Sequence, residues 1–389
     1  MTSHPALRFG IFLAPFHPTH EDPTACLDRD LELVKLLDQL RYDEAWIGEH
    51  HSAGFEIIAS PEIFIAIAAQ HTKHIRLGTG VISLPYHHPF MVAERIVQLD
   101  HMTRGRVMFG VGPGALQSDA RMLGLDASKQ RDMMDESLGV IRRLFAGEVV
   151  THESDWFKLV EAQLQLRPWS KEIEIAVANQ VSPAGARAAG KHGAGLLSIG
   201  ATTFSGFDML AMNWQAYAQK CHEAGREPDR SSWRLVGPMH IAETREQAIA
   251  NVRFGLGEWL YYFNEIASLP LAAGANVDEA IRDLVGQGFA VIGTPDDAVA
   301  QLERLQEQSG GFGAFLHMAT NWASFENTKK SYELFSRYVM PKFQARNEGR
   351  KLTVELAQKN RPQLLAAYGG AIQKEFDKHA AEQVSKPGA

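Results

Sequence analysis

IRLGTGVISLPYHHPFMVAERIVQLDHMTRGRVMFGVGPG, residues 75–114, is the stretch whose reading decides the fold. Residues 75–82 (IRLGTGVI) are a short apolar run without the in–out alternation of a strand that has one wet face. Such a run predicts a strand buried on both sides. Pro89 opens a helical stretch over 89–102, since proline fits the first turn of a helix and little else of it. Residues 106–112 (RVMFGVG) are a second buried strand. Strand, helix and strand in direct succession make a β–α–β unit, which requires parallel strands with the helix packed outside them.

The same unit recurs in both directions. Upstream, RFGIFLA (8–14) and DEAWIG (43–48) predict strands. Between them 24–40 is helical, with Leu27, Leu31, Val34 and Leu37 on one face and Thr24 as its cap. A further helix begins at Pro61 behind Ser60. Downstream, helices are expected at 118–123 and 127–146, then an excursion over 150–170 carrying a strand or hairpin. EIEIAVA (172–178), AGLLSIG (194–200), WRLVGPMHIA (233–242) and FGAFLHMA (312–319) complete eight strands, with helices at 182–193, 206–224, 244–266, 295–309 and 324–338. Eight such units predict an α/β fold, a (β/α)8 TIM barrel with insertions and a C-terminal helical extension. With one strand fewer, an open doubly wound sheet would remain. The barrel domain is expected over 1–343. Residues 344–389 are expected to be an appended helix (about 352–378) and a frayed end. Residues 267–293, with Gly274, Gly286 and Gly288, read as a mobile cover.

Hydrophobic residues are 45% of the chain, enough for a large core, and the net charge of -7 points away from nucleic acid. Two distant cysteines, Cys26 and Cys221, form neither a disulfide framework nor a zinc ribbon. No signal-peptide pattern and no run near the roughly 20 apolar residues of a membrane span is present. A cytoplasmic protein away from membranes is expected.

In a barrel, chemistry sits where strands end at their C-termini. Glu49-His50-His51 follows the second strand. A histidine there suits general acid/base work, because its ordinary pKa lies near neutrality; a histidine merely bonded within its loop gives the same string. Gly110-Val111-Gly112-Pro113-Gly114-Ala115 matches a dinucleotide fingerprint as a string. It lies outside the first β–α–β unit and does not enter a helix, so it reads as a turn where backbone approaches a ligand. Asn179-Gln180-Val181-Ser182 leads into the helix at 182–193, with Ser182 as cap and Pro183 in the first turn. Free N–H groups and the helix dipole there suit a phosphate, though ordinary capped helices look alike. The pairs His17/His20, His50/His51 and His87/His88 lack the spacing of a metal-dependent hydrolase, and no metal is expected.

Together these segments resemble the luciferase-like flavin monooxygenases. The resemblance rests on RFGIFLAPFHP (8–18), YDEAWIGEHH (42–51), the 75–114 segment, IEIAVANQVSPAGARAAGKHG (173–193), VIGTPDDAVAQLERL (291–305) and VMP (339–341). Within that family it is similar to limonene monooxygenase-like and diketocamphane monooxygenase-like members. The resemblance implies FMN, used as reduced FMN, together with O2 and a small apolar substrate. It implies His50 as the catalytic residue, and Gly80-Val81 as a non-proline cis peptide beside the flavin. It places Gly112 and Gly114 at the flavin edge, and Asn179, Gln180, Val181 and Ser182 at the phosphate. The apolar and aromatic residues at strand ends suggest a substrate pocket of Phe12, Phe16, His51, Phe55 and Trp322. Pro113 departs from the pattern that the resemblance implies, since luciferase itself has a phosphate-contacting arginine at that position. The implied reaction moves one oxygen atom onto a terpene-like alkene, or into a ketone by Baeyer–Villiger oxidation, with a separate NAD(P)H:flavin reductase supplying reduced flavin. Ala66, Ala68, Ala69, Val92, Ala93 and Ile96 on the second and third helices suggest a homodimer by the same analogy. Competing readings are a deazaflavin-dependent oxidoreductase on the same fold and a flavin-binding protein without turnover.

Overall fold

The computed structural model describes residues 6–267 and 276–384. Eight strands build a barrel: β1 Arg8–Leu13, β2 Glu44–Ile47, β3 Arg76–Thr79, β4 Val107–Gly112, β5 Ile175–Asn179, β6 Gly195–Ser198, β7 Arg234–Gly237 and β8 Ala314–Met318. Each pairs in parallel with the next, and β8 returns to β1 in register from Arg8↔Ala314 to Phe12↔Met318. A closed ring leaves no free edge, which explains why these runs carry little polar alternation. The expected (β/α)8 barrel is therefore the fold.

The lumen is filled in layers. Phe12, Trp46, Met108, Ala176, Leu197, Val236 and Leu316 form one cluster inside the ring. Register places Phe12 opposite Trp46, Trp46 opposite Gly78, and Gly78 opposite Met108. The fully buried Trp46 indole occupies the space that a side chain at Gly78 would take: a Cβ there would lie 2.6 Å from Trp46 Cε3. A Cβ on Gly110 would likewise meet the indole, at 3.0 Å from Cζ3. The closest atom is the Thr79 carbonyl oxygen, at 2.0 Å, so Gly110 makes room first for the β3 backbone and then for the tryptophan. Beneath this layer lies a buried charge network. Arg234 binds Glu44 with Nε–Oε2 2.6 Å and Nη2–Oε1 3.0 Å, and also pairs with Glu174. Arg8 joins Glu44 at 2.7 Å, and the Trp46 indole N–H donates to Glu44 at 2.9 Å. Burial opposes the Glu44 charge, but Arg234 and Arg8 outweigh it and hold the carboxyl down at about 2.

Several local expectations are corrected. The first helix is Pro23–Gln39; Asp22, not Thr24, caps it by accepting from the Ala25 amide at 2.9 Å. Ser60 occupies the cap position of Pro61–His71 but spends its hydroxyl on Glu62. The helix expected from 182 is Ala184–His192, with Pro183 at the cap position. Ser182 therefore does not cap it; Asn179 Oδ1 takes the Ala186 amide instead, at 3.2 Å. The seventh strand stops at Gly237. Pro238 has no N–H for the ladder, and Met239–Ile241 leaves the ring to pair with Val291–Gly293. The excursion after 150 is an antiparallel hairpin, Val150–Glu153 with Lys158–Ala162. In the stretch read as a mobile cover, residues 268–275, Gly274 included, lie outside the described residues. Its remainder holds a helix, Val277–Gly286, that buries Ala280, Ile281 and Leu284.

Ala68, Ala69, Val92, Ala93 and Ile96 are buried and Ala66 is half-buried, all packed in the large core cluster. The apolar side chains that these two helices, Pro61–His71 and Pro89–Thr103, turn outward are Ile63, Ile67, Met91 and Met102.

By its internal contacts the chain divides into units Met1–Phe343 and Gln344–Ala389. The second unit has two helices, Glu348–Lys359 and Arg361–Val384, where one was expected. Pro362 enforces the break, because a proline ring cannot continue a helix through the preceding turn. Residues 385–389, within the expected frayed end, lie outside the described residues. Among the described residues no helix is long and apolar enough to cross a membrane.

Candidate active site

All eight strands are parallel, so their C-terminal ends share one rim. There a cavity of about 1080 Å³ opens. It is larger than the roughly 300–1,000 Å³ of ordinary small-molecule pockets. Phe12 lines it from β1, Glu49 and His50 from the end of β2, and Gly80, Val81 and Ser83 from beyond β3. Gly112, Pro113 and Gly114 come from the end of β4, and Asn179, Gln180, Val181 and Ser182 from the end of β5. The Gly80–Val81 peptide is cis. Gly114 has φ +91°, a conformation that glycine adopts freely and other residues rarely do. A Cβ on Gly112 would lie 2.7 Å from Val81 Cγ2, so the two walls of this end of the cavity touch through a missing side chain.

The other proposed pocket residues stand behind the wall. Phe16 and Phe55 stack on each other at 5.3 Å and both pack on Tyr262. Trp322 is buried edge-on against Trp259 at 5.1 Å. His51 turns to Glu49. None of these four lines the cavity. Aromatic residues at a strand end can face the lumen mouth or the helices outside, and a sequence does not distinguish the two.

His50 has a carboxylate at each ring nitrogen. Nδ1 lies 3.2 Å from Asp119 Oδ2, and Nε2 lies 3.3 Å from Glu56 Oε2. Burial disfavours the imidazolium, but the charges of Glu56 and Asp119 outweigh it and raise the pKa to about 9. Asp119 is fixed in turn. One oxygen accepts the His51 amide at 3.1 Å and the Ser52 hydroxyl, and those bonds with His50 hold its own pKa below the usual range against burial. Next door, Glu49 Oε1 pairs with His51 Nε2 at 2.8 Å and His87 Nε2 at 2.6 Å, while Oε2 accepts the Ser83 amide at 2.9 Å. This cluster ties the end of β2 to the loop after β3. Glu49 is thus a brace, and His50 alone of the Glu-His-His string presents its ring to the cavity.

Four participants were not anticipated: Glu56, Asp119, Arg131 and Arg187. The last two are exposed cations on the cavity lining. At Pro113 the carbonyl accepts Gln130 Nε2 at 2.9 Å, so that position contributes backbone only. The available signal was an acidic residue after each of two strands, Glu56 in the loop that follows β2 and Asp119 in the short helix Gln117–Met122 that follows β4. Nothing in their spacing tied them to His50.

The profile of the family described as luciferase-like monooxygenase matches residues 7–311. A limonene 1,2-monooxygenase from Rhodococcus erythropolis is 50% identical over 337 residues, 86% of each chain. A 4-hydroxyprotoasukamycin monooxygenase from Streptomyces nodosus subsp. asukaensis is 46% identical over 351 residues, 88% of this chain and 94% of that one. Among solved structures, the oxygenating constituent of 3,6-diketocamphane monooxygenase of Pseudomonas putida, in complex with FMN, superposes with a TM-score of 0.73 at 26% identity, covering 87% of this chain and 99% of its own. This chain belongs to the luciferase-like monooxygenase family.

Proposed function

We propose that the protein is an FMN-dependent monooxygenase that uses reduced FMN and O2 to epoxidise a small apolar alkene of the cyclic terpene class. The carrying observation is His50, held between Asp119 and Glu56 on the cavity wall. Its raised pKa keeps it an imidazolium at neutral pH. A proton available at Nε2 suits electrophilic delivery of oxygen to an alkene; attack on a ketone wants the unprotonated oxidant. The 50% identity to a limonene 1,2-monooxygenase favours the same substrate class.

The residues present fit FMN. Glycines 112 and 114 and the Gly80–Val81 backbone leave a flat approach for a ring system at one end. At the other end the helix Ala184–His192 begins, with the dipole favouring an anion. Ser182, Gln180 and the amides around them would hold the phosphate. Arg131 and Arg187 would supply the charge that Pro113 lacks. Bound reduced flavin supplies the electrons that activate O2. The protein would orient it, and Phe12 and Val81, which line the cavity, would help to exclude water. His50 holds the proton at Nε2.

A separate NAD(P)H:flavin reductase would deliver the reduced flavin, in line with a relative described as an oxygenating constituent. Ile63, Ile67, Met91 and Met102 would meet a second copy in a homodimer. The two buried free cysteines suit the reducing cytoplasm. Turnover of limonene under ¹⁸O2, with reduced FMN regenerated by a reductase, tests the reading. One labelled oxygen in an epoxide is expected. Hydride transfer with a reduced deazaflavin and no label would overturn it.

A further inference from the structure

Glu56 is 9% exposed, in the loop between β2 and the helix Pro61–His71. Its two oxygens have different surroundings. Oε1 accepts the Tyr262 hydroxyl at 2.7 Å. Oε2 has no hydrogen-bond partner and points toward His50 Nε2 at 3.3 Å. This oxygen therefore meets His50 through an ion pair without a well-formed hydrogen bond, which leaves it only partly satisfied and costs free energy. The anchor on the other oxygen is rigid. The Tyr262 ring is 1% exposed and packed against Phe16, Phe55 and Phe263 at 5.8, 5.1 and 4.9 Å. Phe55 is the neighbour of Glu56 in the chain, so the same aromatic cluster fixes both the phenol and the loop that bears the carboxylate. Tyr262 itself begins a π-helical turn, Tyr262–Ile266, and such turns concentrate at functional sites.

We propose that Glu56, anchored by Tyr262, is the positioning residue that keeps His50 charged and its Nε2 proton free for the cavity. Asp119 bonds Nδ1 and fixes the ring. Glu56 stands at Nε2 too loosely to capture the proton, yet close enough to favour the charge. A well-formed bond there would lock the proton away from substrate; an apolar side chain would let it dissociate. The other groups facing His50 are Glu49, which also favours its charge, and His51, which opposes it. Tyr262 stays a neutral donor, because burial and the Glu56 charge raise its pKa far above the usual value. The inference deepens the proposed function by assigning the control of its proton donor, and it rests on that reading for its catalytic meaning.

The test is Glu56→Gln in the full chain, which removes the charge at constant shape. The His50 titration is followed by NMR on ring-labelled protein, with His50→Asn for assignment, beside the pH profile of kcat. A carboxylate at this distance commonly moves a partner by about 1–3 pH units. The expected result is a His50 midpoint lowered by at least about one unit, with the basic limb of the kcat profile moving down equally and KM for reduced FMN unchanged. Tyr262→Phe keeps the charge and loses the anchor; it should move the midpoint the same way by less. A His50 midpoint unchanged in Glu56→Gln would overturn the proposal. The NMR titration needs neither flavin nor substrate, so it decides the matter even if no oxygenation is found, in which case the proposed function alone fails.

Discussion

Replacing Trp46 by alanine should empty the centre of the barrel, and its neighbours cannot refill it. A buried tryptophan removes about 150–250 Å² from water; at about 25 cal/mol per Å² that is about 4–6 kcal/mol. Measured Trp→Ala costs of about 3–5 kcal/mol agree. The void would face Gly78 and Gly110, which have no side chain to swing in, so the upper part of the range is expected. Arg234, 4.8 Å above the indole, and Glu44 also lose a partner. At about 1.2 °C per kcal/mol for a chain of this size, the calorimetric midpoint should fall by about 5–7 °C. The specific signature lies in a second substitution. Gly78→Ala in the native protein drives a methyl to 2.6 Å from the indole and should cost about 1–3 kcal/mol. In Trp46→Ala the same methyl enters the void and should stabilise by about 1 kcal/mol. The cycle thus predicts a coupling of about 3 kcal/mol with a change of sign. Gly78→Ala destabilising equally in both backgrounds would refute the packing argument.

Other expectations follow from the same contacts. Glu44→Gln should destabilise by about 3–5 kcal/mol, because it leaves Arg234 buried with only part of its charge met; urea unfolding at neutral pH would measure it. With its folded pKa lowered to about 2 against an ordinary 4.5, Glu44 stabilises the fold above pH 4.5, and that contribution is lost as the pH falls toward 2. His50 has the opposite sign: its pKa is raised to about 9, so a step that uses the imidazolium runs fully at neutral pH and declines as the pH rises through about 9, a limb absent in His50→Asn. Arg131→Ala and Arg187→Ala should each weaken reduced FMN about 5- to 30-fold, as loss of a charge-assisted bond of about 1–2 kcal/mol implies. They should leave riboflavin binding unchanged in calorimetric titrations, since riboflavin has no phosphate.

The strands were legible because a barrel strand is buried on both faces and declares itself as an unbroken apolar run, as RLGT and VMFGVG do. Their ends were only partly legible: the run expected as one strand over 75–82 stops at Thr79, with Ile82–Ser83 a separate short strand, and Pro238, inside an apolar run, hid the exit of the chain from β7. Caps were less legible. Asp22, Thr24 and Ser182 are all capable residues, and which one reaches an amide depends on the entry angle of the chain. The glycine-rich turn after β4, Gly112 to Gly114, was nominated from the string, and Gly80–Val81 only through the family resemblance; both line the cavity. His50 could be nominated but its state could not, because Glu56, Asp119 and Tyr262 come together around it only through folding, from a loop, a short helix and a π-helical turn far apart in the chain. Phe16, Phe55 and Trp322 were placed in the pocket on their apolarity; they serve instead as the wall behind it.

The most direct test is an anaerobic titration of the purified protein with reduced FMN, followed by admission of O2 and substrate, in native protein and in His50→Ala. Stoichiometric binding of reduced FMN is expected in both proteins, and oxygenated product from the native protein alone. Failure to bind reduced FMN, or equal product from His50→Ala, would contradict the assignment of His50 as the proton donor of a flavin monooxygenase.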